Sequence, residues 1–438
     1  MAGGTWTTQN KVRPGVYINF AGERQLGASM GERGTVSVPL VLDWGASQTI
    51  IPIESGDDVR SLLGYSLNAP ELLLVREALK RAKKLLVYRL NTGVKASATV
   101  GGLTLTARHG GVRGNDLTVS VQKNVDDETL FDVATYLADE LVDVQTAAVI
   151  AGLVVNDFVV FSGSGALTAS AGVPLAGGAN GTVTNQQHAD YLSAIELYDF
   201  NTIALPVGDE SLKAVYTAFV RRLREEEGRK VQAVLANFPS ANHEGIISLK
   251  NGVKLADGTV VPAEKATVWV AAATAGAALN ESLTYAAYEN AVDVDVRYSN
   301  SQIETALRSG EFVFTASRGG AIVEQDINSL TQYGAAKNPS FSKNRVIRVL
   351  DGIANDLKAL FESSYIGKID NNADGRNLFR SEVVKYLELL QGRNAIQNFN
   401  SQTDLIVAAG AQSDALVIEV HIQPVDSVEK VYMKVTVK

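Results

Sequence analysis

The stretch from 201 to 237 constrains the fold more than any other. NTIALPV reads as one strand and VQAVLAN as a second, and the helix between them is marked by Leu212, Val215, Tyr216, Phe219 and Leu223 at helical spacing. A strand-helix-strand order of this kind favours a parallel crossover, so a layered sheet is expected. The same texture runs from 36 to 92. There TVSVPLVLDW reads as a strand, SGDDVRSLLG as a short helix, and APELLLVREALKRAKK as a helix leading into the strand LLVYRL.

Between these stretches the texture changes. Residues 93–172 hold short β-rich runs (ATVGGLTLTARHG, DLTVSVQ, DFVVFSGSGAL) separated by Gly and Asn. One helix is expected among them, where Leu130, Val133, Ala134, Leu137 and Leu141 recur at i, i+3, i+4, i+7 and i+11. The expected fold class is α/β (α+β multidomain), a layered α/β core with a β-rich domain inserted. Further on, the reading gives a strand at ATVWVAAA, a helix through Tyr285 and Tyr288, and β runs at EFVFTA and GAIVEQD. Helices follow at 345–364 and 377–391, then the strands DALVIEVHIQ and KVYMKVTV. The expected division is an arm over 1–35, a first core part over 36–92, the insert over 93–172, the main α/β part over 173–342, a C-terminal part over 343–427 and an arm strand over 428–438.

Composition removes several function classes. At 438 residues, 46% hydrophobic and 20% charged, the chain can bury real cores in two or three domains. Forty Lys+Arg against 48 Asp+Glu give a net charge of -8, with no basic excess to neutralise a phosphate backbone, so nucleic acid is not an expected partner. The absence of Cys excludes disulfides, thiolate zinc sites and a thiol nucleophile, and four His leave little for a histidine metal centre. ATVWVAAATAGAAL is shorter than the ~20 apolar residues a bilayer requires. The N-terminus lacks an apolar signal core. Membrane insertion is therefore not expected, and synthesis in a cytoplasm is.

No catalytic, cofactor or metal site emerges. Asp370, Asn372, Asp374 and Gly375 match the first half of a calcium loop, yet its twelfth position is Ser381 and its ninth is Leu378, so the segment reads as an interhelical turn. GSGSGAL and LAGGANG lack the remainder of a phosphate loop, and no Ser sits in GxSxG. His109, His188, His243 and His421 read as structural or solvated. The run from Arg221 to Arg229 reads as a solvated helix face with pairs such as Arg221 and Glu225. Helix 377–391 carries more information. Phe379, Val383, Tyr386, Leu387 and Leu390 form its buried stripe, with Lys385 outward, Arg380 on the flank, and Lys368 and Arg376 just before it. A positive cluster on an acidic chain suits an acidic protein surface.

The two ends share one property. In VYINF, Val16, Ile18 and Phe20 alternate with Tyr17 and Asn19, and at the other end Val431, Met433, Val435 and Val437 alternate with Tyr432, Lys434 and Thr436. A single strand is not stable alone, so each needs a sheet edge elsewhere.

Three segments carry a resemblance: RPGVYINF, LAGGANGTVT ahead of a helix and the strand NTIALPV, and VIEVHIQPVDSVEKVYMKVTVK. Together, in this order, the chain resembles the tail sheath protein of contractile phages and phage-tail-like bacteriocins, with Asn180 where that family usually has Asp. The resemblance implies a subtilisin-like shape for the α/β core and an outward placement for the insert. It also implies that the strand arms, Val16 to Phe20 and Val431 to Val435, add to sheets of neighbouring copies. It further implies six-fold rings around a tail tube that shift from a metastable extended state to a contracted one, driving the tube through a cell envelope. The implied partners are further copies of the chain, the tail tube protein, and baseplate and tail terminator proteins, with no cofactor. Lys368, Arg376, Arg380 and Lys385 then become candidates for tube contact. The implied location is a bacterial host cytoplasm during assembly, then a virion or released particle. Two other classes remain: an α/β enzyme with an unrecognised site, and another tail or baseplate structural protein.

Overall fold

The computed structural model describes residues 2–4, 15–17 and 31–437. Its centre is a seven-stranded sheet in the order Glu311–Phe312, Ile246–Leu249, Gln232–Ala236, Thr202–Ala204, Thr35–Leu40, Lys84–Arg89, Ile50–Glu54. All neighbours are parallel except the last pair. Because helices cover both faces, the strands read as continuous apolar runs whose residues go alternately to two cores. Leu85 and Val87 join one core with Trp269, while Leu86 and Tyr88 join the other with Tyr191, Tyr216 and Leu223. The second core is closed by the helices Asn185–Ile195 and Glu210–Glu225. In the latter the stripe is Leu212, Tyr216, Phe219, Val220 and Leu223, whereas Val215, expected inside, is 44% exposed.

Three expectations are corrected here. ATVWVAAA is not a strand but part of the helix Ala263–Gly276, buried on every side between the sheet and the helix Leu73–Leu79. Its β-branched and Trp residues imitate a strand, but the alanines favour a helix and let it pack closely on two layers. The Leu130–Leu141 stripe is not a helix but a hairpin of Phe131–Leu137 and Glu140–Ala147. Val133 and Leu137 satisfy both an i+4 and an i+2 period, and Thr135 between them is also buried. The turn is closed by Ala138 and Asp139 at φ 49° and 65°, residues that do not announce such a turn. No helix runs through Tyr285 and Tyr288. Tyr285 adopts φ 63°, and Tyr288 stacks on Trp269 with ring centroids 4.4 Å apart.

The β-rich block forms two sheets around one core. A four-stranded sheet (Glu140–Ala147, Phe131–Leu137, Leu117–Lys123, Ser170–Pro174) faces a three-stranded one (Val159–Gly163, Leu103–Ala107, Ser97–Val100). Their core includes Leu105, Val119, Val133 and Val159, and also Trp44, which comes from the α/β part. Trp44 stacks on Phe158 and meets His109 edge-on at 5.3 Å. Burial, with Arg108, Arg89 and Lys95 nearby, holds His109 at about 4, so its ring is neutral at physiological pH. Asn180 bridges the same joint: its amide donates to Asp43 Oδ1 at 2.7 Å and its carbonyl accepts from Val112 N at 3.2 Å. The C-terminal part packs Ile353 of the helix Asn344–Ser364 against Phe379, Val383, Tyr386, Leu387 and Leu390 of the helix Ala373–Gly392, the stripe expected for the latter.

Candidate assembly surfaces

The chain leaves the C-terminal part at Gln423–Pro424, which pairs with Ile396–Gln397, and Val425 N donates to Ala395 O at 3.0 Å. From there to Val437 no regular structure forms. Val431, Tyr432, Met433 and Val435 are 75%, 91%, 80% and 76% exposed, and Lys434 between them is exposed as well. The strand expected over KVYMKVTV is therefore not formed within the chain, and its apolar residues stand in water. At the other end Gly15–Tyr17, with Val16 and Tyr17, pairs in parallel with Ala2–Gly4. Ile18, Asn19 and Phe20 lie outside the described residues.

The complement of a free strand is a free edge. Leu405–Ala409 and Leu416–Val420 form a two-stranded antiparallel ladder, and no further strand joins it among the described residues. Leu405 and Val407 pack toward the helix Ala373–Gly392, while Ile406 and Val417 on the outer face are 51% and 48% exposed. Each outer edge thus presents an unpaired row of N–H and C=O groups to an incoming strand.

The cationic group falls at the start of the second helix. Lys368 donates to Ser363 O, Arg376 to Asn371 O at 3.1 Å, and Arg380 to Ser401 O. Among the described residues none of these three meets a carboxylate, whereas Lys385 pairs with Glu382 at 2.8 Å. The calcium-like segment is a helix cap, since Asn372 Oδ1 accepts from Gly375 N at 2.8 Å. A Cβ on Gly375 would stand 2.0 Å from Asp370 O, which accounts for the glycine. No cluster of three metal-ligating side chains occurs among the described residues.

Sequence reasoning missed the joint between the main and C-terminal parts. The charged run at 221–229 is a solvated face only in part: Arg221, Glu225 and Glu226 are exposed, but Arg224 is not. Arg224, 4% exposed, reaches Asp351 of the helix Asn344–Ser364 through two hydrogen bonds of 2.7 and 2.8 Å. Arg221 donates to Ala241 O rather than pairing with Glu225, and Glu225 accepts from His243 Nε2 at 3.1 Å. His243 is structural: its Nδ1 accepts from Gly245 N at 2.9 Å, and burial lowers its pKa. The signal was present in the sequence, because Arg224 stands at i+4 from Val220 and i+8 from Tyr216, on the buried side.

The chain as a whole has known relatives. Residues 181–329 match the phage tail sheath protein central domain and 336–438 the phage tail sheath C-terminal domain. Residues 33–90 match the tail sheath protein Gp18 domain III N-terminal region, and 91–180 the phage tail sheath protein beta-sandwich domain. The chain belongs to the phage tail sheath protein family. The crystal structure of a sheath tail protein from Desulfitobacterium hafniense is 57% identical, covers 97% of this chain and 100% of its own, and superposes with a TM-score of 0.86. The phage-like element PBSX protein XkdK of Bacillus subtilis is 41% identical over 466 residues, spanning 100% of both chains. The anti-feeding prophage helical sheath in its contracted state shares the fold at 15% identity, with a TM-score of 0.59 and coverage of 97% and 99%.

Proposed function

We propose that the chain is the structural subunit of a contractile tail sheath. Copies polymerise as six-fold rings around a tail tube in a metastable extended state and convert to a contracted one that drives the tube through a cell envelope. The observation that carries this reading is the coexistence, in one C-terminal part, of an unpaired apolar strand at 431–437 and a hairpin with two open edges. Each copy both gives and receives a strand, so the contact is heterologous and propagates. The work comes from the free-energy difference between two packings, which needs no nucleotide. The tail tube is assigned to Lys368, Arg376, Arg380 and Lys385, three of which have no ion pair within the described chain. Baseplate and terminator proteins bind the ends of the polymer. Assembly takes place in the bacterial host cytoplasm, and the product is a virion or released particle. The layered α/β core is read as keeping the shape of a subtilisin-like fold.

The test is to remove 1–22 or 428–438, then compare circular dichroism with electron microscopy. Native-like spectra without tubes support the reading. Intact tubes from both truncations overturn strand exchange.

A further inference from the structure

Between the last paired residue of the C-terminal part and the free strand, one side chain is held. Glu429 is only 11% exposed, although Val428 before it is 85% exposed and Val431 after it 75%. Its Oε1 accepts from Thr284 Oγ1 at 2.9 Å, and its Oε2 from Gln325 Nε2 at 2.6 Å and from Lys343 Nζ. Thr284 and Gln325 belong to the main α/β part, and Lys343 immediately precedes the helix Asn344–Ser364. Thr284 is itself fixed, since its Oγ1 also accepts from Asp326 N at 3.0 Å. The Lys343 ammonium, four-fifths buried, has no other acceptor among the described residues. Three donors therefore converge on the place of one carboxylate, and without it a desolvated cation would remain.

We propose that Glu429 is the anchor of the C-terminal arm, the residue that sets where the free strand begins and hence how far it reaches. With Glu429 seated, the free segment starts at Lys430. With it lost, the root falls back to Val425, held by Ala395 O. Four residues are thereby added to the tether, about 13 Å of reach at ~3.3 Å per residue. A longer tether lowers the effective concentration of the arm at a neighbouring hairpin edge and loosens the register in which it arrives. The consequence for assembly rests on the sheath reading above, whereas the anchor itself is a property of the single chain.

The experiment separates the two. Hydrogen exchange of the unassembled full chain is compared for the parent, Glu429→Ala, Glu429→Gln and Lys343→Met. Exchange at Val425, whose N–H is bonded to Ala395 O at the root of the arm, is expected to rise about tenfold in Glu429→Ala, as the loss of the charge-assisted bonds that follow it lets the root fray, with less effect in Glu429→Gln. Lys343→Met should reproduce the rise, which a merely local effect of residue 429 would not. Unchanged exchange in both Glu429→Ala and Lys343→Met overturns the anchor. Electron microscopy of the same variants is expected to show fewer and less regular tubes with far-UV spectra unchanged. Normal tubes from a variant whose exchange has risen overturn the claim that reach governs assembly. A parent chain that forms no tubes, with the exchange result intact, overturns the sheath reading and leaves the anchor standing.

Discussion

Replacing Asp351 by Ala tests whether the main and C-terminal parts are joined as one body. In the parent, Arg224 and Asp351 are 4% and 6% exposed and share two hydrogen bonds. Arg224 also donates to Val231 O at 2.9 Å, and Glu244 lies 3.9 Å away, already held by Lys337. Removing the aspartate strands a guanidinium out of water, for which a loss of about 3–5 kcal/mol is usual. Glu244 can turn partly toward the vacated place, so the lower end, ~3 kcal/mol, is expected, or about 150-fold more opening. The assay is urea unfolding, combined with hydrogen exchange at 344–364 to locate the opening. The double change Arg224→Met with Asp351→Leu should recover most of the loss, because it removes both charges and restores volume. A loss below ~1 kcal/mol for Asp351→Ala, or a double variant as unstable as the single one, would refute the reasoning.

Other outcomes follow from the same structure. Deleting 97–172 with a Gly/Ser bridge should keep the α/β sheet by circular dichroism but bare Trp44, so solubility should improve when Trp44→Ser is added; gel filtration reads both. Charge reversal at Arg380 and Lys385 should lower the yield of extended particles in micrographs while subunits stay folded, and unchanged yields remove this helix from the tube contact. Burial would raise the pKa of Glu429, but hydrogen bonds from Lys343, Gln325 and Thr284 outweigh it and hold the group below its ordinary 4.5. The stability it adds is thus fully present above pH 4.5 and lost as pH falls through the lower folded value. Exchange at Val425, bonded to Ala395 O, should accordingly be flat from pH 7 to 5, after correction for intrinsic rates, and rise below.

How much was legible depended on whether a residue's burial could be read from one period. The strands Thr35–Leu40, Lys84–Arg89, Thr202–Ala204 and Gln232–Ala236 were clear because both faces are covered and their apolar runs have no other reading, whereas Ile246–Leu249 and Ile50–Glu54 of the same sheet went unread. The arms were legible only as an alternation with nothing local to pack on, and no strand forms over 431–437 within the chain. The hairpin at 131–147 was not, since Val133 and Leu137 fit two periods at once and no Asn-Gly marks the turn. The helix Ala263–Gly276 was hidden by being apolar all round, which removes the periodicity that would identify it. Arg224 was missed because its charge outweighed its position on the buried side. Thr284, Gln325, Lys343 and Glu429 are separated by up to 145 residues, and only the tertiary fold brings them to one point.

The bond from Asn180 to Asp43 couples two distant places in the inheritance of this chain. An aspartate at 180, the residue the sequence resemblance leads one to expect, would set two carboxylates where a 2.7 Å donor-acceptor contact now stands, replacing a hydrogen bond by like-charge repulsion. Lineages should therefore cross between Asn and Asp at 180 only when 43 changes as well, so the two positions drift as a pair. A chimera that exchanges the β-rich block between relatives without its matching residue 43 would carry that mismatch into every subunit of the polymer.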